Sequence, residues 1–166
     1  MSTEKNLQEA FAGESQANRR YTAFARKADA EMLPNVAKVF RAAAAAETVH
    51  ALSHLRVLGA VKSTGENLQA AIEGEAYEFK TMYPAFLSEA EKEKNAAAVL
   101  TFKGALAVEK THHALYTKAL EAVKAGSDLP EAPMWVCEVC GETFMGAHPD
   151  RCPVCNAPKA KFTEIK

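Results

Sequence analysis

Glu47-Thr-Val-His50 recurs as Glu109-Lys-Thr-His112, 62 positions on (47 to 109), and both copies fall in the middle of an apolar helical stripe. The first stripe runs Val36, Phe40, Ala43, Glu47, His50, His54, Leu58; the second runs Val99, Phe102, Leu106, Glu109, His112, Tyr116, Leu120, Val123. Steps of three and four put all of these residues on one face. Two further stripes carry acids in the same way. One is Leu7, Phe11, Glu14, Tyr21, Phe24; the other is Leu68, Ile72, Glu75, Phe79, Met82, Phe86, with Glu78 one turn beyond Glu75. Carboxylates gathered in one interior layer cost several kcal/mol each unless something compensates them. Two metal cations remove that difficulty, and oxygen donors with imidazole nitrogens suit iron or manganese.

The match extends beyond the Glu-x-x-His pair. Gly13-Glu14 returns as Gly74-Glu75, 61 positions on (13 to 74), and Tyr21-Thr-Ala-Phe24 as Tyr83-Pro-Ala-Phe86, 62 on (21 to 83). Two similar hairpins, each with a Glu on its first helix and Glu-x-x-His on its second, predict a bundle with internal pseudo-two-fold symmetry. Alanine, leucine and charged residues dominate as far as Ala125, with no strand-like alternation. Helices are predicted over about 3–31, 34–60, 64–92 and 95–125, with Pro34 in a first turn, Asn95 as a cap and Ser63-x-x-Glu66 as a capping box. A lone Glu on a helix is ordinarily solvated, and a lone Glu-x-x-His is ordinarily chance. His54 is read as a packing or hydrogen-bonding neighbour of the site, and His113 as facing away from it.

All four cysteines lie between residues 137 and 155, as Cys137-x-x-Cys140 and Cys152-x-x-Cys155, and none precedes them. Two such knuckles make a tetrahedral thiolate site, although spacing alone leaves zinc and iron both open. The segment AGSDLPEAP cannot continue a helix. The domains are therefore expected as 1–125, a linker over 126–133, and a module over 134–166 too small to fold without a metal. Of the 166 residues 25% are charged and 48% hydrophobic, with a formal net charge of −1 and the bases interleaved with acids. That balance gives no support to nucleic-acid binding, and no apolar run reaches the ~20 residues a membrane helix needs. The first residues lack a secretion-signal pattern, so a cytoplasmic location is the expectation.

On these residues the chain resembles the rubrerythrins. The helical part is similar to their ferritin-like domain through Gly13-Glu14-Ser15-Gln16-Ala17, Glu47-x-x-His50, Glu75-x-x-Glu78 with Met82-Tyr83-Pro84, and Glu109-x-x-His112. The tail resembles rubredoxin through Cys137-x-x-Cys140-Gly141, Cys152-Pro153-x-Cys155 and Pro158-Lys159-Ala160-x-Phe162. Asn156 stands where such knuckles usually carry glycine, and asparagine tolerates the left-handed backbone. The resemblance implies an all-α ferritin-like four-helix bundle with a small C-terminal rubredoxin-like domain. It implies a non-haem di-iron peroxidase that reduces hydrogen peroxide to water in defence against oxidative stress. The cofactors implied are two irons, oxo- and carboxylate-bridged, and one iron held by Cys137, Cys140, Cys152 and Cys155, with zinc as its substitute.

By the same resemblance Glu47 and Glu109 bridge the irons, Glu14 and Glu75 are terminal ligands, and His112 completes one iron. At the other, Glu78 exchanges for His50 on reduction, since a ferric ion favours an added anionic oxygen and a ferrous ion is satisfied by imidazole. Tyr21, Tyr83 or a site carboxylate would supply protons. A reductase or a rubredoxin would supply electrons. Two rival readings stay open: a ferritin-like ferroxidase or iron store, and a bundle whose zinc ribbon binds a partner. The ferritin-like arrangement needs the second helix to connect back along the bundle, yet the residues from Gly59 to Ser63 reach only ~17 Å. The expected assembly is therefore a homodimer, helix-swapped so that each site takes hairpins from two chains.

Overall fold

Small side chains line the contact between the first two helices, α1 (Thr3–Ala30) and α2 (Pro34–Val57). Ala17, Ala25, Ala28, Ala37, Ala44 and Ala51 are buried there. Alanine lets the two backbones approach closely and is the best helix former. Asn18 on α1 fastens the pair, its Nδ2 donating to the Ala44 carbonyl at 2.6 Å and to Thr48 Oγ1 at 2.8 Å. The computed structural model describes residues 2–166, and the chain divides into two units, one ending at Lys62 and the other beginning at Ser63.

α2 stops at Val57, short of the expected 60. The Gly59 amide donates to the Arg56 carbonyl and the Ala60 amide to the Leu55 carbonyl, with Gly59 at φ +63. This pair of bonds is a Schellman closure, which needs a left-handed residue and so ends the helix at the glycine. The same closure ends the last helix at Gly126, φ +74.

The second unit holds α3 (Thr64–Tyr77), α4 (Tyr83–Lys92) and α5 (Ala96–Lys124), with α3 and α4 both packed along α5. Ser63 and Glu66 form the expected capping box and Asn95 Oδ1 accepts from the Ala98 amide. The single helix predicted over 64–92 is interrupted: Glu78–Met82 is a π-helical turn, in which the Tyr83 amide donates to the Glu78 carbonyl five residues back. Pro84 supplies a physical reason. In an unbroken α-helix its ring would collide with the Lys80 carbonyl and leave that carbonyl without a donor, and a wider turn relieves both.

The repeat predicted from sequence is visible in the packing of both units. Tyr21, Phe24 and Phe40 form an aromatic trio with ring centroids 5.5 to 6.4 Å apart. Tyr83, Phe86 and Phe102, each 62 positions on, form its counterpart at 5.8 to 6.4 Å.

After α5 a short antiparallel sheet follows, ordered β2-β1-β3, from β1 (Met134–Cys137), β2 (Thr143–Met145) and β3 (Phe162–Ile165). Trp135 pairs with Phe144 on one side and Glu164 on the other. Its core is Cys137, Cys152, Ala157 and Phe162. No helix among the described residues is long and apolar enough to cross a membrane.

Candidate metal centres

Three ligand groups come together on the first hairpin. Glu14 projects from α1, Glu47 and His50 from α2, and one ligand atom from each lies within 4.8 Å of the others. His50 Nδ1 is 2.8 Å from Glu47 Oε2, the contact that a three-residue helical spacing provides. The His50 side chain is 55% exposed, whereas that of Glu47 is 18% exposed.

The second unit repeats the arrangement with Glu75 from α3 and Glu109 and His112 from α5, again within 4.8 Å. His112 Nδ1 lies 2.8 Å from Glu109 Oε2 and 3.8 Å from Glu75 Oε1. Burial, a hydrogen bond to Glu109 and the Glu109 charge push the Glu75 carboxyl up to about 7, against the pull of His112. Glu78 stays outside the three-residue group, on the π turn, though near enough that burial and the Glu109 charge raise its carboxyl. Burial, and then the charges of Glu109, Glu78 and Glu75, also raise the phenol of Tyr83. Tyr21 sits in the matching aromatic trio of the first unit. Among the described residues neither His54 nor His113 joins a donor group, and His113 packs edge-on against Phe79 at 5.4 Å. Each group offers two carboxylates and one imidazole, a hard donor set of the kind that holds iron or manganese.

The four cysteines are free thiols gathered at one point, with Cys137 and Cys155 Sγ 3.6 Å apart and Cys140 and Cys152 Sγ 3.5 Å apart. A tetrahedron of thiolates at ~2.3 Å from a metal has edges of ~3.8 Å, so the cluster fits one. Backbone amides point at the sulfurs. Burial raises the Cys137 thiol, but amide bonds from Cys140 and Val139, together with hydrogen bonds to the Cys155 and Cys140 side chains, leave the thiol lowered. Burial pushes Cys140 and Cys155 up, although the Glu142 and Ala157 amides bond them. Asn156 adopts the left-handed conformation expected of it, φ +61.

The cysteine module is seated on α5. A Cβ on Gly104 would lie 3.9 Å from Cys140 Cβ, and one on Gly141 would lie 3.8 Å from Val108 Cγ1. Thr111 Oγ1 donates to Glu142 Oε1 at 2.9 Å, and His112 Nε2 lies 3.1 Å from Thr143 Oγ1. Glu142 is buried, and among the described residues its Oε2 has no partner. Sequence reasoning passed over Thr111, Glu142 and Thr143. The only signal was their position beside His112 and the Cys140 knuckle, since a lone hydroxyl or acid has no periodicity of its own.

Two carboxylate–histidine donor groups on helical hairpins, with a four-thiolate module on one of the helices, define a non-haem metalloprotein with two kinds of metal centre. The rubrerythrin profile matches residues 5–120, and that of the rubrerythrin rubredoxin-like domain matches 135–163. The chain is 36% identical over 170 residues to rubrerythrin-2 of Clostridium acetobutylicum, covering 94% of this chain and 92% of the relative. It is 37% identical over 180 residues to the rubrerythrin of Porphyromonas gingivalis, covering 99% and 90%. Solved structures of nigerythrin in a mixed-valence state and in a fully reduced, all-ferrous state each match with a TM-score of 0.59 at 33% and 32% identity, over 99% of this chain and 87% of theirs. The chain belongs to the rubrerythrin family. It carries the carboxylate di-iron site and the rubredoxin-like four-cysteine site of that family.

Proposed function

We propose that this protein is a peroxidase that reduces hydrogen peroxide to water with electrons entering through the cysteine site. The observation that carries the reading is the seating of the cysteine module on α5, the helix that presents Glu109 and His112. A ferroxidase that deposits mineral has no use for a one-electron thiolate centre there. When bound, the two irons would supply the electron pair that hydrogen peroxide takes up with two protons to give two waters. Nigerythrin, known in mixed-valence and all-ferrous states, is a relative whose irons change oxidation state. That favours iron over zinc for the cysteine site here, because only iron returns electrons singly.

Glu14, Glu47, Glu75, Glu109, His50 and His112 would hold the irons, with Glu78 as the ligand that alternates with His50. The two histidines differ in a way that supports these roles. His112 has a hydrogen-bond partner at each ring nitrogen, whereas His50 is bonded at Nδ1 alone among the described residues and is exposed. A tethered imidazole suits a constant ligand and an untethered one suits an exchanging ligand. Tyr83, whose phenol is held protonated by burial and three neighbouring carboxylates, is the proton donor, with Tyr21 its counterpart. The electron donor would be a reductase or a rubredoxin, and the role protection against oxidative stress.

The assembly we propose is a helix-swapped homodimer. The link from α2 to α3 is six residues, Leu58 to Ser63, and spans at most ~20 Å. Aligning the His50 and Glu75 levels in a ferritin-like bundle would require it to return about 27 Å at 1.5 Å per residue.

Anaerobic reduction followed by one equivalent of hydrogen peroxide tests the peroxidase reading. The visible absorption of ferric tetrathiolate should return as peroxide disappears. Protein that stays colourless while peroxide persists would overturn it.

A further inference from the structure

We propose that Thr143 is a positioning residue that couples the cysteine module to the α5 donor set of its own chain. The inference rests on the peroxidase reading and adds the route and the residue that makes it. Thr143 Oγ1 donates to the Gly141 carbonyl at 3.1 Å, so its lone pair faces His112 Nε2 at 3.1 Å and accepts the Nε2 proton. Nδ1 is the nitrogen turned toward Glu109, at 2.8 Å, and toward Glu75, and a metal held by those carboxylates would take the place of its proton. A hydroxyl that both donates and accepts thus fixes the imidazole in the tautomer a metal ligand needs.

The same hydroxyl closes a path. Gly141 follows Cys140 in the chain, so two hydrogen bonds and one peptide unit join the Cys140 side chain to the His112 ring. Gly141 sits at φ +87, where a side chain is disfavoured, and Cys140 lies against α5 at Gly104, where an added Cβ would be in ordinary contact with the Cys140 Cβ at 3.9 Å. Threonine is well suited to this place. Valine has the same shape without the hydroxyl, and serine keeps the hydroxyl without the methyl. With iron bound at both sites, each electron passed along the path would come from one cysteine-bound ferrous iron and go to one iron of the carboxylate site. Two such transfers, fed by an external one-electron donor, replace the pair taken up by one hydrogen peroxide.

The test compares Thr143→Val and Thr143→Ser with the wild-type full chain. In the zinc-loaded, diamagnetic protein, the His112 Nε2 proton, assigned by its loss in His112→Gln, should be visible by NMR and slow to exchange in wild type and Thr143→Ser. It should be lost to fast exchange in Thr143→Val. In the fully reduced iron protein, one equivalent of peroxide should be followed by oxidation of the cysteine-bound iron that is slower by roughly 10-fold or more in Thr143→Val than in wild type. Thr143→Ser should restore the rate. A protected Nε2 proton and an unchanged rate in Thr143→Val would overturn the proposal, as would a Thr143→Ser variant as slow as the valine one. If peroxide itself persists with the fully reduced wild type, the peroxidase reading falls first, and that outcome is separate from either Thr143 result.

Discussion

Glu75 is the residue at which the need for a cation is most plainly written. Burial and Glu109 lift its carboxyl from the ordinary 4.5 to about 7, so the folded metal-free chain holds a proton that the unfolded chain releases near 4.5. Its contribution to stability is therefore complete below about 4.5 and is lost as pH rises through about 7. Metal-free protein kept in chelator should show a melting temperature that falls across that window, and Glu75→Gln should flatten the fall. Metal-loaded protein should show no such decline, because the cation takes the place of the proton. Thermal denaturation at a series of pH values checks all three. Glu75 was found from sequence because it interrupts an apolar stripe. The Thr143 hydroxyl was not, because its importance comes from a hydrogen bond to His112 across 31 residues of sequence.

Among the elements, the π turn at Glu78–Met82 distinguishes the two hairpins. The repeat offset is 61 at Glu14 and Glu75 but 62 at Tyr21 and Tyr83, so the second copy has gained one residue between those points. A π turn is a helix carrying one residue too many, and it lies in that interval. The change of offset was thus a legible sign of the interruption, and Pro84 was another. Reading the third helix as one α-helical run missed both, because Leu68, Ile72, Glu75, Phe79, Met82 and Phe86 keep steps of three and four straight through the turn. The Ser63 capping box, the Asn95 cap and the helix end before Gly126, by contrast, were readable because each depends on one or two adjacent residues. Deleting exposed Lys80 in a Pro84→Ala chain should restore the seven-residue spacing of Glu14 and Tyr21, close the turn to α-helical and leave Glu75 in the register with Tyr83 and Phe86 that Glu14 has with Tyr21 and Phe24. The expected variant keeps its helical circular dichroism and still binds metal at the Glu75, Glu109 and His112 group. Metal analysis showing that group emptied would count against the register argument.

At the scale of the whole molecule, the family and the order of its two parts were legible in the sequence, since repeated motifs and paired knuckles survive without knowledge of tertiary contacts. The seating of the cysteine module on α5 was not legible, because Gly104, Val108, Thr111 and His112 meet it only after folding. The proposed swap can be checked by co-expressing Glu14→Ala with Glu109→Ala chains. In a swapped heterodimer one site carries both lesions and the other neither, so activity should return to about half of wild type per heterodimer. Heterodimers without activity would rule the swap out. The division of donors, three on each hairpin, has a consequence for supply as well as chemistry. Neither set alone surrounds two metal ions, so in the assembly proposed above iron is a cross-link between chains, and iron binding and chain association strengthen one another by the same factor. In that assembly metal availability would act as an assembly signal: scarcity of iron would loosen the dimer, and dilution of the chain would favour release of iron.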